Sequence, residues 1–236
     1  MRCAAVKTLG LIGGMSWEST QLYYREMNRI ARDRMGGQHS AALILWSVDF
    51  GPIVRMQEAG RWDEATAVLV EAARRLEQAG AEALMICANT MHRMAGEVAA
   101  AVSIPLIHVA DATAEAIRAA RVKRPLLLAT RYTMEQDFYR ARLAQNGVEA
   151  LIPAQDERLA MQAIIYGELI QGLVNPASKA AMLAMIERAR AEQGADGVAL
   201  ACTELGLLLG PSDQELPLFD TTEIHAEAGM AFALAG

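Results

Sequence analysis

Short apolar segments alternate along the chain with longer segments of helical period. Six of the apolar segments have the length of a β-strand, namely TLGLIGG, ALILWSVDF, EALMICA, PLLLAT, VEALIPA and GVALAC. The segment DEATAVLVEAARRLEQAG is typical of the others, because its apolar positions recur with the period of an amphipathic helix. Nearly unbroken apolar strands suit a parallel sheet that helices cover on both faces. The pattern therefore predicts an α/β fold built on parallel sheets.

The second half of the chain echoes the first. TLGLIGG followed by MSWESTQLYYRE resembles PLLLAT followed by RYTMEQDFYRA, each a strand, a polar turn and a helix that carries Tyr-Arg. GAEALMICANT, which begins at Gly80, aligns without a gap with GADGVALACTE, which begins at Gly194. We expect two pseudo-symmetric α/β domains, one of residues 1–113 with 217–236 and the other of residues 114–216. The ending LPLFDTTEIHAEAGMAFALA is expected to return the chain to the first domain as an extended stretch and a helix.

The gapless alignment distinguishes two cysteines that lie near strand ends. Counting from Gly80 and Gly194 puts Cys202 opposite Ala88, and Cys87 opposite Ala201. Since successive strand residues point to opposite faces, a shared register directs Cys87 and Cys202 to different sides of their sheets. We therefore expect Cys87 to be a buried, unreactive strand thiol.

Polar turns follow several of the predicted strands. Ligands of parallel sheets bind outside the carboxyl ends of the strands, where GGMSW, ANTMH, ATRYT and CTELG all fall. Gly13 and Gly14 permit close backbone approach, and Ser16 begins a predicted helix whose N–H groups suit a bound carboxylate; the alternative is an ordinary strand-to-helix turn. Cys202 is the best reactive group, because hydroxyls and a following helix are expected to lower its pKa toward a thiolate base or nucleophile. The alternative for Cys202 is a buried structural thiol.

Composition and charge argue against several classes of partner and cofactor. The formal net charge is −6, with no basic block, so neither nucleic acid nor an anionic membrane is an expected partner. No apolar segment is long enough to span a bilayer, no signal peptide is recognised, and three cysteines without framework spacing indicate a reduced, cytoplasmic protein. We predict no metal and no pyridoxal or other cofactor, and no G-x-S-x-G elbow of a serine hydrolase occurs. The lysines and histidines on which such sites depend are scattered, at Lys7, Lys123, Lys179, His39, His92, His108 and His225.

Five motifs in order, LGLIGGMSWEST, NTMH, TRYTMEQDFY, ACTELGLLL and FDTTEIHAE, resemble the aspartate/glutamate racemase family, in particular its broad-specificity amino-acid racemase branch. The likeness runs nearly from end to end of the chain. It implies a cofactor-independent isomerase of two flavodoxin-like domains, with the active site in the cleft between them and a homodimeric assembly. In that family one base removes the α-proton of an amino acid and a second base, opposite the first, returns a proton.

Carried onto this chain, the resemblance implies a site with one base missing. The second base falls on Cys202, whereas the first falls on Ala88, and alanine cannot move a proton. For Gln57, which the resemblance places near the amino acid, the alternative is a solvated helix residue. The residues that the resemblance places around the amino acid are Met15, Ser16, Gln57, Ala88, Asn89, Thr90, Thr203 and Glu204.

The missing base at position 88 could be compensated in three ways. Cys87 could be re-aimed by a local bulge, a water molecule could fill the space at Ala88, or Cys202 could work alone. The last case resembles arylmalonate decarboxylase, a relative that protonates with a single cysteine. The expected function is an amino-acid racemase; the alternatives are a single-cysteine decarboxylase or isomerase of a carboxylic acid, and a non-catalytic amino-acid-binding protein. The side chain of the amino acid is left open, although Arg131 could bind an acidic one.

Overall fold

The chain folds into two compact units. The computed structural model describes residues 6–235, so Cys3 lies outside the described residues. One unit runs to His108 and resumes at His225, and the other spans Val109–Ile224. The chain therefore leaves the first unit earlier than position 113 and returns to it later than position 217, which are the boundaries expected from the sequence.

The first unit contains a parallel sheet of three strands, β1 (Leu9–Gly13), β2 (Leu43–Ser47) and β3 (Ala83–Ile86). Their order is β2-β1-β3, and Leu9 is paired with Leu43 on one side and with Ala83 on the other. An isolated bridge between Leu84 and Leu106 extends the pairing beyond β3. The helical segments that follow these strands are α1 (Trp17–Met35), α2 (Phe50–Glu58), α3 (Trp62–Gln78), a 3₁₀ segment (Thr90–Met94) and α4 (Ala95–Ala100).

The second unit repeats this plan with β4 (Pro125–Ala129), β5 (Gly197–Ala201) and β6 (Leu218–Asp220), in the order β4-β5-β6. All of these pairs are parallel as well, so the predicted α/β fold with parallel sheets is confirmed. The α-helices of this unit are α5 (Val109–Ala119), α6 (Arg131–Glu135), α7 (Asp137–Gln145), α8 (Gln155–Gly167) and α9 (Pro176–Arg188). The last helix, α10 (Thr221–Leu234), begins in the second unit and continues into the first. Shorter helical segments are Leu169–Gln171, Ala189–Gln193, Thr203–Leu207 and Pro211–Asp213.

Two short extended segments differ from the expectation. VEALIPA forms only an isolated bridge, between Leu151 and Leu126, instead of a strand. The extended part of the C-terminal ending forms β6, where Leu218 pairs with Val198 of β5. Because β6 completes the sheet of the second unit, the chain returns to the first unit only within α10, at His225.

The strands of the first unit divide its apolar side chains between two faces. Leu9, Leu11, Met85 and Cys87 pack with side chains of α1 and α10. Their neighbours in sequence, which include Ile12, Leu84, Ile86 and Ala88, pack on the other face with α3. This is the alternation that a strand imposes on successive residues. Within the described range, no helix has both the length and the apolar content needed to cross a bilayer.

Candidate active site

The turn after β1 is shaped by contacts within the protein. Gly14 has φ +91°, and a Cβ at this position would lie 2.2 Å from the backbone oxygen of Val48, so the turn requires glycine. The N–H of Gly14 donates to Oγ1 of Thr20 at 2.8 Å. Ser16 caps α1, as expected, and its Oγ accepts from the N–H of Ser19 at 3.2 Å. The glycine pair therefore permits close approach of the chain that follows β2, and the carboxylate proposed at this turn stays a prediction.

Gln57 is buried on α2, which contradicts its alternative assignment as a solvated residue. Its side chain is 5% exposed, and Nε2 donates to Sδ of Met91 at 3.0 Å. Among the described residues, none donates a hydrogen bond to the buried Oε1 of Gln57. A buried carbonyl oxygen without a donor is costly, and a thioether is a weak acceptor for the amide N–H. The hydrogen-bonding groups of the Gln57 amide are therefore poorly satisfied by the protein itself. This amide lies beside Met91, which directly follows Asn89 and Thr90.

Ala88 and Asn89 form the turn between β3 and the 3₁₀ segment. Both residues are buried, and Ala88 is 8% exposed. The backbone oxygen of Asn89 accepts from the N–H of His92 at 3.1 Å, and that of Ala88 accepts from Nδ1 of the same histidine at 2.9 Å. The turn is thus held from within by His92, a residue that the sequence did not assign to the site.

Cys87 lies in the core of the first unit. Cys87 is 0% exposed and belongs to the buried cluster that also contains Leu11 and Met85, and burial raises the pKa of the thiol. Its N–H donates to the backbone oxygen of Ile12 at 2.9 Å, so the strand pairing continues through this residue. The prediction that Cys87 is a buried strand thiol is confirmed. A bulge that turns Cys87 toward a substrate has no support in this geometry.

Cys202, Thr203 and Glu204 form a buried cluster directly after β5. Sγ of Cys202 donates to Oε2 of Glu204 at 3.0 Å, and Oγ1 of Thr203 donates to the same carboxylate oxygen at 2.7 Å. All three residues are buried, and Cys202 is 8% exposed. A single carboxylate therefore holds the thiol and the hydroxyl in fixed positions.

The expected lowering of the Cys202 pKa is wrong for this arrangement. Burial raises the pKa of the thiol well above its ordinary value, and the charge of Glu204 and its hydrogen bond with the thiol raise it further. Asp220, at the end of β6, adds a smaller effect in the same direction. The helical segment after Cys202 has only five residues, from Thr203 to Leu207. Cys202 is consequently a protonated thiol beside a carboxylate that is placed to accept its proton.

The site residues named from sequence occur in two groups, one in each unit. In the first unit Met15 and Ala88 belong to the same buried cluster as Met91, which Gln57 contacts. In the second unit the cluster of Cys202, Thr203 and Glu204 lies on one turn. The expected position of an active site between the units stays a prediction. Arg131 is exposed and forms an ion pair with Glu135 at 3.1 Å. Among residues 6–235, no group of three or more His, Cys, Asp or Glu side chains is arranged to hold a metal ion.

Comparisons with known proteins identify the same group of enzymes as the motifs. The chain is 47% identical to a Yersinia pestis protein assigned to the Asp/Glu racemases, with 97% of this chain and 99% of that chain covered and a TM-score of 0.90. The crystal structure of an aspartate racemase homologue from Pyrococcus horikoshii OT3 shows 35% identity, 96% and 99% coverage and a TM-score of 0.85. Broad specificity amino-acid racemase RacX of Bacillus subtilis (strain 168) is 26% identical over 73% of this chain and 74% of its own length. The model of the Asp/Glu/Hydantoin racemase family matches residues 12–229, so the chain belongs to this family.

Proposed function

We propose that the protein is a cofactor-independent amino-acid racemase in which Cys202 exchanges the α-proton of the substrate. The observation that carries this proposal is the buried thiol of Cys202, which is hydrogen-bonded to Glu204 at the carboxyl end of β5 in a chain of the racemase family. The α-proton of an amino acid is weakly acidic, so its removal needs an aligned base. Parallel sheets present their catalytic residues at the carboxyl ends of strands.

In the proposed mechanism Glu204 is the group that deprotonates the Cys202 thiol. Oε2 of Glu204 accepts the proton of Sγ, and the resulting thiolate removes the α-proton of the substrate. The thiolate is unfavourable in the free enzyme, because burial and the Glu204 charge raise the pKa of Cys202. The ammonium group of a bound amino acid would favour the thiolate, since an opposite charge stabilises an ion. Substrate binding and activation of the base are thereby coupled.

Polar residues of the first unit are proposed to bind the parts that all amino acids share. Oε1 of Gln57, which no described residue donates to, suits the substrate ammonium group as its donor. Ser16, Asn89 and Thr90 suit the α-carboxylate through hydroxyl, amide and backbone donors. Met15, Ala88 and Thr203 complete the proposed surroundings of the substrate. These contacts define the amino-acid backbone and leave its side chain open.

A water molecule is the proposed proton donor for the face of the substrate that Cys202 does not serve. Ala88 offers no titratable group, and Cys87 is fully enclosed in the core. A water needs a polar surrounding with several hydrogen-bond partners. Asn89 and Thr90 directly follow Ala88 and provide such groups. A water is a weaker acid than a thiol, so we propose a slow racemase.

Incubation with single amino acids in heavy water tests the proposal. We expect deuterium at the α-carbon of at least one amino acid, together with its opposite enantiomer, in a panel of L- and D-amino acids that includes aspartate and glutamate. Mass spectrometry measures the deuterium, and chiral chromatography measures the enantiomer. If no amino acid of the panel acquires α-deuterium, the proposal is contradicted.

One-sided chemistry is the second candidate, and the alanine at position 88 favours it. With a single proton donor, Cys202 would exchange the α-proton with retention, or would protonate one face of a decarboxylated carboxylic acid. The heavy-water experiment separates the two candidates, because deuterium without the opposite enantiomer indicates one-sided exchange. Deuterium with inversion supports the racemase and rules out the one-sided mechanism.

We further propose that the protein forms a homodimer through β2 and works as a reduced protein in the cytoplasm. In the sheet of the first unit β2 is an edge strand, and its Leu45 and Trp46 are exposed. Exposed apolar side chains on an edge strand are typical of interfaces. The cytoplasmic location is supported by Cys87 and Cys202, which are both free cysteines.

Light scattering of the purified protein is expected to give twice the chain mass of 25.5 kDa. Replacing Leu45 and Trp46 with glutamate should shift the mass to that of one chain, because charged side chains would oppose the apolar contact. Leu159→Glu, at an exposed position on α8 of the other unit, is the control and should leave the dimer intact. A monomeric wild-type protein at micromolar concentration would refute the homodimer.

A further inference from the structure

Three histidines that are far apart in the sequence come together in the first unit. The ring centroid of His92 lies 4.6 Å from that of His108 and 5.5 Å from that of His225. The ring of Tyr23, on α1, meets the ring of His225 edge-on at 5.5 Å. His92 and His225 are buried, and the proposed proton exchange uses none of these four side chains. The cluster therefore needs a separate physical explanation.

The hydrogen bonds of His225 define which of its ring nitrogens carries a proton. Nε2 lies 2.8 Å from the backbone oxygen of Ile107, and a carbonyl oxygen only accepts, so Nε2 carries the hydrogen. Burial lowers the pKa of His225 to about 4, and the ring is therefore neutral at pH 7. Nδ1 is then an acceptor, and the Tyr23 hydroxyl, at 2.8 Å, donates to it. Tyr23 and Ile107 thus fix both the tautomer and the orientation of the His225 ring.

His92 is held in the same way and is linked to the candidate active site. Its Nδ1 lies 2.9 Å from the backbone oxygen of Ala88, so Nδ1 carries the hydrogen and donates. Burial lowers the pKa of His92 well below its ordinary value, and the adjacent His108 and His225 lower it further. The acceptor belongs to Ala88, the residue that stands where the resemblance places a base. One hydrogen bond therefore connects the histidine cluster to the turn at Ala88.

The cluster also lies where the chain enters and leaves the first unit. His108 is the last residue of this unit before Val109, and His225 is the first residue after the return. The hydrogen bond between Nε2 of His225 and the oxygen of Ile107 joins these two segments of chain directly. His92 packs on the rings of both His108 and His225. The position of His92 therefore depends on both segments.

We propose that His92 is a positioning residue that fixes the turn of Ala88, Asn89 and Thr90, and that His225, held by Tyr23 and Ile107, fixes the His92 ring. His92 acts through the Ala88 carbonyl and does not touch the substrate. Its contribution to rate rests on the proposed racemase function, whereas its effect on the turn does not. Misplacement of a reacting group by about 1 Å costs up to about 10²-fold in rate, so a single hydrogen bond to this turn is enough to matter.

Two amide substitutions separate positioning from simple space-filling. In His92→Asn the side-chain NH₂ occupies the place of Nδ1 and can donate to Ala88, whereas in His92→Gln the NH₂ reaches the place of Nε2 instead. We expect His92→Asn to keep both kcat and KM within about threefold of wild type. We expect His92→Gln to lower kcat/KM by about 10- to 100-fold through a lower kcat and a higher KM, because the turn is proposed both to bind the α-carboxylate and to hold the water. His39→Gln, at an exposed histidine outside the cluster, is the control and should change neither constant.

Backbone amide resonances give a readout that does not depend on activity. The ¹H–¹⁵N signals of Asn89 and Thr90 are expected to move in His92→Gln and in Tyr23→Phe, which removes only the hydroxyl that donates to His225, and to stay near wild type in His92→Asn. Unchanged signals in both His92→Gln and Tyr23→Phe, with melting temperatures like that of wild type, would overturn the positioning role. Equal losses of kcat in the Asn and Gln variants would also overturn it. If wild type exchanges no α-proton, the racemase proposal fails, and the resonances still decide the positioning role.

Discussion

Replacing Cys202 with alanine is expected to reduce α-proton exchange by about 10²-fold or more, because a positioned acid or base contributes about 10²- to 10⁴-fold to the rate of proton transfer. The thiol is the group that donates to Glu204 in the buried turn after β5, and alanine leaves the carboxylate without this partner. Initial rates of deuterium incorporation, measured in both directions from the L- and D-enantiomers, give the size of the loss. We expect kcat to fall and KM to change little, since the substrate contacts proposed above lie on other residues.

Cys87→Ala is the matched control for this substitution. Cys87 is fully buried in the cluster that also contains Leu11 and Met85, so its replacement is expected to cost about 1 kcal/mol of stability and to leave the exchange rate per folded molecule unchanged. Thermal unfolding of both variants separates loss of fold from loss of chemistry. Full activity in Cys202→Ala, or loss of activity in folded Cys87→Ala, would show that Cys202 is not the thiol that exchanges the proton.

Introducing a proton donor at position 88 is expected to raise the rate of racemisation by about 10-fold, which is less than the about 10²- to 10⁴-fold that such a group contributes when it is well aligned, because the introduced side chain lacks an evolved alignment. Ala88→Cys and Ala88→Thr each supply a donor at the position where the resemblance places a base. Ala88 is 8% exposed and belongs to the buried cluster that contains Ile12, Met15 and Met91, so a larger group at this position is surrounded by packed side chains. Polarimetry or chiral chromatography of the product measures the gain.

Ala88→Val is the control for the threonine variant, because valine has the shape of threonine without the hydroxyl. Both residues add nearly the same volume to a packed position, so each is expected to lose about 1–3 kcal/mol of stability through overfilling of the core. We expect a gain in Ala88→Thr and none in Ala88→Val. Equal rates in the two variants would show that position 88 affects packing and supplies no proton.

The strand pattern was readable from the short apolar segments of the sequence. Such segments are continuously apolar, and five of the six apolar runs became strands of the two parallel sheets. VEALIPA is apolar too, yet it pairs only at Leu151, because apolar content reports burial and does not report the length of hydrogen-bonded pairing. β6 has three residues, and a segment of that length has too few positions to show a period. The pairing of β6 with β5 places β6 in the sheet of the second unit.

The sequence predicted some features of the candidate site and missed others. The burial of Cys87 followed from strand alternation, which is a local rule that depends only on register. The pKa of Cys202 did not follow, since it depends on burial of the thiol and on the Glu204 carboxylate turning back toward it, and the sequence does not specify that conformation. The cluster of His92, His108 and His225 was missed because its members are distant in sequence and have no ligand spacing. Only the folded chain brings them together.

The core of the first unit is assembled from both ends of the chain. α10 covers one face of the sheet: its Ala226 and Met230 pack with Leu9 and Met85, and a Cβ at Gly229 would lie 2.4 Å from Sδ of Met85. During translation, β1 and β3 emerge from the ribosome long before the helix that closes over them. The second unit is continuous from Val109 to Ile224, so all of its core segments are synthesised before α10 is complete. The unit whose strands are synthesised first is therefore the last to complete its core.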